Sequence, residues 1–333
     1  MTARRGLWLT GLALAIVGGL AWAAEVPPGD EGYRAGWRAW VARQYDEALA
    51  ALERAVEADP RNVAYRESLG HMAYKRRKQR DAESQLERAQ RLSPKEPRIA
   101  YLLAQMYGLR FTGDPEQYEK MRQQTFEFYQ RTITLDPDNG FPQAQYASVL
   151  FDAGRDEEAI KALDAAIAAK SFRLYLMPTP TAREPAEGGI FWAASLDLLS
   201  PALARFNNLA SRCRRRSAMA TAAGDMEQAK ADLTRGAALG RRVAAMEPKL
   251  LTAALFGIRI EVRARRGLAE VVRASGDAAA ADKVIARADT LETVADDTAA
   301  EARKWGEQPL PPAEDLRERE TKLVEKALRL AYP

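Results

Sequence analysis

The strongest constraint on this chain of 333 residues is that part of it repeats. Residues 33–60 align with residues 65–94 at an offset of 34: Gly36, Ala48, Leu52, Ala55 and Pro60 recur as Gly70, Ala82, Leu86, Ala89 and Pro94. Self-similarity at one period of this length marks a stacked array, in which each unit buries its face against the next. The residues between these landmarks are rich in Ala, Leu, Arg and Glu, all good helix formers, while Gly and Pro fall mostly between helical stretches. The expected fold class is therefore all-α.

The spacing inside one unit describes an antiparallel helical hairpin. Gly36 and Gly70 let the second helix approach closely, and Ala48 and Ala82 do the same from the opposite side. Leu52 and Leu86 fill the space between hairpins, Ala55 and Ala89 admit the next unit, and Pro60 and Pro94 stop the second helix because proline cannot continue the backbone ladder. These residues at these offsets resemble the tetratricopeptide repeat family. The pattern departs from the family at one place, where its early bulky residue is Gly32 in the first hairpin and Arg66 in the second. The resemblance implies an α-solenoid of antiparallel hairpins whose first helices line a concave groove.

About four units fit into residues 31–171. The third starts at Arg98, with Leu103, Ala104 and Tyr107 in first-helix positions, but its closing proline comes at Pro137, nine residues late. The surplus is assigned to an extended inter-helix insertion near 109–120. Thr125, Tyr129 and Thr132 replace the usual Ala, Leu and Ala there. The fourth unit runs from Gly140, with Gly154, Ala159, Leu163 and Ala166 at the landmarks. Residues 172–202 read as a connector, and its proline-rich stretch 177–189 as an exposed loop. Within 203–308, Gly224 is followed by Ala229, Leu233 and Gly236, and Gly276 by Ala281, Ile285 and Ala288, at the spacing of the fourth unit. Those two turns lie 52 residues apart, which predicts degenerate hairpins with longer helices or an extra connection. Residues 309–333 predict a C-terminal capping helix carrying Leu316, Leu323, Ala327 and Leu330; a partner-binding tail is the alternative.

Residues 1–24 have a basic start, an apolar run from Leu7 to Trp22 and a small-x-small pattern at Ala21-Trp22-Ala23. They read as a signal peptide cleaved after Ala23, or as an uncleaved segment anchoring the protein to the inner membrane. Both imply an exported chain, with the periplasm as the expected compartment. No cysteine follows the apolar run, which excludes a lipoprotein anchor.

Two counts remove most enzyme classes. Cys213 and His71 are the only cysteine and histidine, which leaves no disulfide framework, no multi-cysteine or histidine-rich metal site, and one histidine for any acid–base scheme. No cofactor motif is present, and no catalytic or metal site is expected. Arginines beside Cys213 favour a lowered thiol pKa, against which a lone small thiol in a helix is usually filler. The net charge of +4 includes Arg4 and Arg5 of the leader, so nucleic acid is not an expected partner. The arginine clusters at 212–216 and 263–266 read as solvated helix faces or as a surface for anionic groups.

By offset, the groove implied by the family resemblance is lined by Tyr33, Trp37 and Trp40 of the first unit. Glu67, His71, Tyr74 and Lys75 follow from the second, and Tyr101 and Gln105 from the third. Phe141, Ser148 and Phe151 come next. Aromatic rings with polar neighbours suit an extended peptide; the alternative is that Trp37, Trp40 and Tyr74 pack against neighbouring helices. Asn is absent from the positions where some family members pair it with Lys to hold a terminal carboxylate. The expected function is a non-enzymatic periplasmic scaffold or assembly protein that binds a protein or peptide along the concave face. The alternative is a permanent accessory subunit of a membrane-associated envelope complex, touching it through 177–189 and 109–120. The sequence leaves the oligomeric state open.

Overall fold

A computed structural model describes residues 27–108, 114–181, 183, 191–192, 194–305 and 313–333. Residues 1–24, read from sequence as a signal peptide or anchor, lie outside the described residues, as do 109–113 of the expected insertion and 184–190 of the proline-rich stretch. Within the described residues the chain is all-α, and its only β features are two isolated bridges.

The first array consists of α1 (Asp30–Val41), α2 (Tyr45–Ala58), α3 (Val63–Lys75), α4 (Gln79–Leu92), α5 (Pro97–Gly108), α6 (Pro115–Leu135), α7 (Gly140–Asp152) and α8 (Asp156–Ala168). They pair in order as four hairpins. The repeat landmarks sit where the spacing argument needs them. A Cβ built on Gly36 would lie 2.7 Å from Leu52 Cγ, and one on Gly70 would lie 2.8 Å from Leu86 Cγ. Both leucines and Ala48, Ala82, Ala55 and Ala89 are buried.

The third unit differs from the loop predicted at 109–120. Residues 115–120 are helix, because Asp114 caps the amides of Glu116 and Gln117 and Pro115 takes the first helical turn, where a missing N–H does no harm. The surplus thus lengthens α6 to 21 residues. Thr125 and Thr132 stand in for alanine by bonding their hydroxyls to Met121 O and Phe128 O one turn back, at 2.8 Å each.

The second array contains α9 (Leu199–Ala222), α10 (Met226–Ala244), α11 (Leu251–Ala274) and α12 (Ala278–Trp305). Its helices run 19 to 28 residues, which accounts for the wide spacing of its turns. The closest crossing joins α10 to α11: a Cβ on Gly257 would lie 2.2 Å from Ala244 N, and one on Gly240 2.6 Å from Glu261 N. The last helix, α13 (Ala313–Ala331), lies on α11 and α12. It buries Leu323 and Val324, packs Ala327 and Ala331 in one cluster with Ile258, Leu291 and Val294, and leaves Leu330 facing out. It thus covers the apolar end of the solenoid. No helix among the described residues is long and apolar enough to cross a membrane.

Candidate partner-binding groove

The predicted groove residues form ladders on successive first helices. Tyr33, Glu67 and Tyr101 occupy one position of α1, α3 and α5; Trp37, His71 and Gln105 a second; Trp40 and Tyr74 a third. Tyr33, Trp37, Glu67, His71, Tyr101 and Gln105 are all buried. Trp40 and Tyr74 are half-buried, and Lys75 is exposed. Phe141, Ser148 and Phe151 are buried on α7.

What buries them is the chain itself. Residues 172–181, predicted in part as an exposed loop, form a non-helical strap across the first helices. Asn139, the N-cap of α7, donates to Arg173 O at 3.1 Å and accepts from Arg173 N at 2.9 Å. Tyr175 donates to Asp136 at 3.1 Å and packs its ring against Tyr101 and Phe141, with centroids 5.3 and 6.0 Å apart. The carbonyl of Pro178 accepts from Tyr33 Oη at 2.5 Å and Ser68 Oγ at 3.3 Å. Arg34 donates to Thr181 O, and Arg183 pairs with Asp30 at 2.8 Å. Phe172, Leu174 and Met177 are buried. The strap also reaches the second array, since Leu174 N donates to Glu247 O at 2.7 Å and Glu247 N to Phe172 O at 2.9 Å. A proline-rich composition rules out helix, but the apolar residues that alternate within it made burial the better solution.

Beyond the strap, the chain returns through a 3₁₀ turn at Leu196–Leu198. Asp197 on that turn lies 2.8 Å from His71 Nε2 and 3.2 Å from Lys75 Nζ, and these partners hold its carboxyl below the usual carboxylate range against the opposing effect of burial. Glu67 and Arg98 form a two-point ion pair, with one contact at 3.1 Å. Burial dominates there and pushes the Glu67 carboxyl up to about 7 despite Arg98. Arg205 of α9 donates to Tyr129 Oη at 2.5 Å, and Gln105 Nε2 donates to the same oxygen at 2.7 Å.

Two open cavities remain beside the filled groove. One of about 450 Å³ is lined by His71, Tyr74, Lys75, Arg77, Leu102 and Leu198. The other, about 560 Å³, is lined by Trp40, Val41, Arg43, Tyr45, Arg76 and Asp197. Of the groove residues picked out by spacing, Trp40, Tyr74 and Lys75 are the ones that still meet solvent here. Spacing missed Arg43 and the run Lys75-Arg76-Arg77-Lys78-Gln79-Arg80, five cations in six residues, although that run is visible as a charge block.

Four of the seven arginines in the clusters noted in the second array are held in ion pairs. Arg212 pairs with Asp152, Arg216 with Asp156 and Asp232, Arg265 with Glu261, and Arg266 with Asp289 and Glu292. Arg235 adds Asp164 and Asp232, so several of these bonds cross from one helix to another. Burial outweighs the lowering effect of nearby arginines on Cys213. The thiol is fully buried, and burial pushes its pKa up to about 12.

The fold and the groove define an all-α repeat solenoid. The tetratricopeptide repeat family's model matches residues 33–97, most of the first two hairpins. No curated protein matches the chain. Among solved structures, a thermophilic tetratricopeptide protein of Thermus thermophilus is 16% identical, with a TM-score of 0.41, over 70% of this chain and 98% of that one. The TPR2AB domain of yeast Sti1 in its pHSP90 complex is 18% identical, with a TM-score of 0.27, over 92% of this chain and 98% of that one. The tetratricopeptide domain of P58(IPK) is 13% identical, with a TM-score of 0.23, over 91% and 98%.

Proposed function

We propose that the protein is an exported, non-enzymatic scaffold that holds a partner protein on the open part of its concave side. The observation that carries this reading is the strap. One first helix after another supplies a side chain to the backbone or rings of a polypeptide segment, through Tyr33, Ser68, Tyr101 and Asn139. A face preorganised in this way lowers the ordering cost of binding further polypeptide beside it. The part left open is the mouth around Trp40, Tyr74 and Lys75.

The two side chains that a catalytic scheme would draw on first serve packing instead. His71 is buried against Asp197, and Cys213 is buried with a raised pKa. The alternative of a permanent accessory subunit keeps the exposed residues 115–120 as a contact surface, while part of 177–189 is taken up within the chain. Residues 177–181 run along the groove from a buried Met177, and 115–120 belong to α6. Export is proposed from residues 1–24 alone, and N-terminal sequencing of the mature protein tests it. The scaffold reading is tested by placing a photocrosslinking phenylalanine analogue at Trp40 or Tyr74 in the native host. A defined protein crosslinked there, and not from an outer-face position such as Arg54, is the expected result. Crosslinks absent from both mouth positions would remove the proposal.

A further inference from the structure

In and beside the turns joining α1 to α2 and α3 to α4 stand Arg43, Lys75, Arg76, Arg77, Lys78 and Arg80, and the first four line the cavities at the concave mouth. Asp46, Glu47 and Asp81 follow in the first turns of α2 and α4, where a helix N-terminus favours them. Lys75 pairs with Asp197, and Arg76 lies over the Tyr45 ring at 4.5 Å. Arg43, Arg77, Lys78 and Arg80 are exposed and make no side-chain ion pair among the described residues.

Backbone geometry singles out two of the four. Arg43 and Arg77 have φ of 62° and 60°, in the left-handed region. The same turn position, five residues before the landmark alanine, is Gly154, Gly224 and Gly276 in later hairpins, with φ of 73°, 80° and 91°. Glycine adopts that conformation freely and arginine does not. A cation kept where glycine would relax the backbone points to a use for the charge.

Four of the six cations rim the two cavities, and Lys78 and Arg80 follow directly in sequence. Arg77 and Lys75 border the 450 Å³ cavity, whose other walls include Tyr74, Leu102 and Leu198. Arg43 and Arg76 border the 560 Å³ cavity with Trp40 and the exposed Val41. His71 also lines the first, and its Nδ1 has no partner among the described residues. The chain supplies its own precedent for an acid here, since Asp197 arrives from the connector to meet His71 and Lys75.

We propose that this mouth docks an acidic polypeptide segment. Its carboxylates meet Arg43, Arg77, Lys78 and Arg80, and one of its apolar or aromatic side chains enters the cavity beside Tyr74. Charge complementarity sets the partner class. The recessed walls favour a polypeptide over a membrane, because a flat layer of headgroups reaches the rim but not Leu102, which is 3% exposed. The inference rests on the scaffold reading and narrows it to a partner chemistry.

The test is fluorescence anisotropy with the full mature chain and a fluorescein-labelled peptide of alternating Glu and Leu with one Phe. A peptide with Lys in place of Glu serves as control. The expected result is salt-sensitive binding of the acidic peptide alone, weakened roughly tenfold or more in R77E/K78E/R80E. It should be nearly unchanged in R54E/R88E/R215E, which alters net charge equally at exposed sites elsewhere. Circular dichroism checks each fold, and R77Q/K78Q/R80Q replaces the reversal triple if that fails to fold. Equal losses in the two reversal triples, equal binding of the Lys peptide, or sedimentation with phosphatidylglycerol vesicles without peptide binding would each overturn the inference. Mouth crosslinks to a partner with no acidic segment would sink it while leaving the scaffold standing. Absence of any crosslinked protein would sink the scaffold itself.

Discussion

Glu67 is a carboxylate fully buried beneath the groove, and its raised pKa has a consequence for stability. Between the ordinary value of 4.5 and about 7, the folded chain keeps a proton that the unfolded chain has released. The contribution of that proton is present below 4.5 and is lost as pH rises through about 7. Urea unfolding should therefore show stability falling across this window, and Glu67→Gln should flatten that slope. A slope unchanged in the variant would show that other groups carry it. Arg77 makes the opposite kind of prediction, because its backbone strain is relieved by glycine. Arg77→Gly should stabilise the fold by roughly 1 kcal/mol, measured by chemical denaturation, while it weakens any acidic ligand at the mouth.

At the scale of elements, the hairpins were legible in the sequence because their determinants are local. Gly36 meets Leu52, and Gly70 meets Leu86, within one unit and at one spacing. Even the surplus of the third unit was visible, although Asp114 and Pro115 turned it into helix rather than loop. The strap was not legible. Tyr33 and Pro178 lie 145 residues apart, and Ser68 and Pro178 lie 110 apart, so no periodicity links them. Its prolines announced only that no helix could form. Of the nine predicted groove residues, Tyr33 and Tyr101 consequently lie against the strap, while Trp40, Tyr74 and Lys75 still meet solvent. The strap also gives a prediction at this scale. Tyr33→Phe with Ser68→Ala removes both side-chain donors to Pro178 O and should cost about 1–3 kcal/mol. Hydrogen exchange should quicken at Met177 and Thr181, while Leu174, bonded to Glu247, stays protected. Equal loosening along all of 172–181 would refute this division.

Across the whole molecule, the two arrays are joined by more than the chain linking them in sequence. Asn139 of the first and Glu247 of the second bind adjacent strap residues, and α9 packs on α7. A simple solenoid unfolds by nearest-neighbour steps, whereas this one should unfold in a single transition by both fluorescence and circular dichroism. Removing residues 306–333 takes away α13 and uncovers Ile258, Leu291 and Val294. The truncated protein should melt at lower temperature and self-associate in light scattering. A monomer with unchanged melting would show that α13 is not a cap.

Repeat arrays commonly tolerate the gain or loss of a unit, because each hairpin answers only to its neighbours. The strap removes that freedom. Ten residues, 172 to 181, reach at most about 35 Å when fully drawn out, and within that reach they must meet α7 at one end and α1 at the other. An inserted hairpin would outrun the strap, and a deleted one would leave it slack over an apolar floor. Residues 172–181 therefore act as a gauge that fixes the number of hairpins in the first array at four.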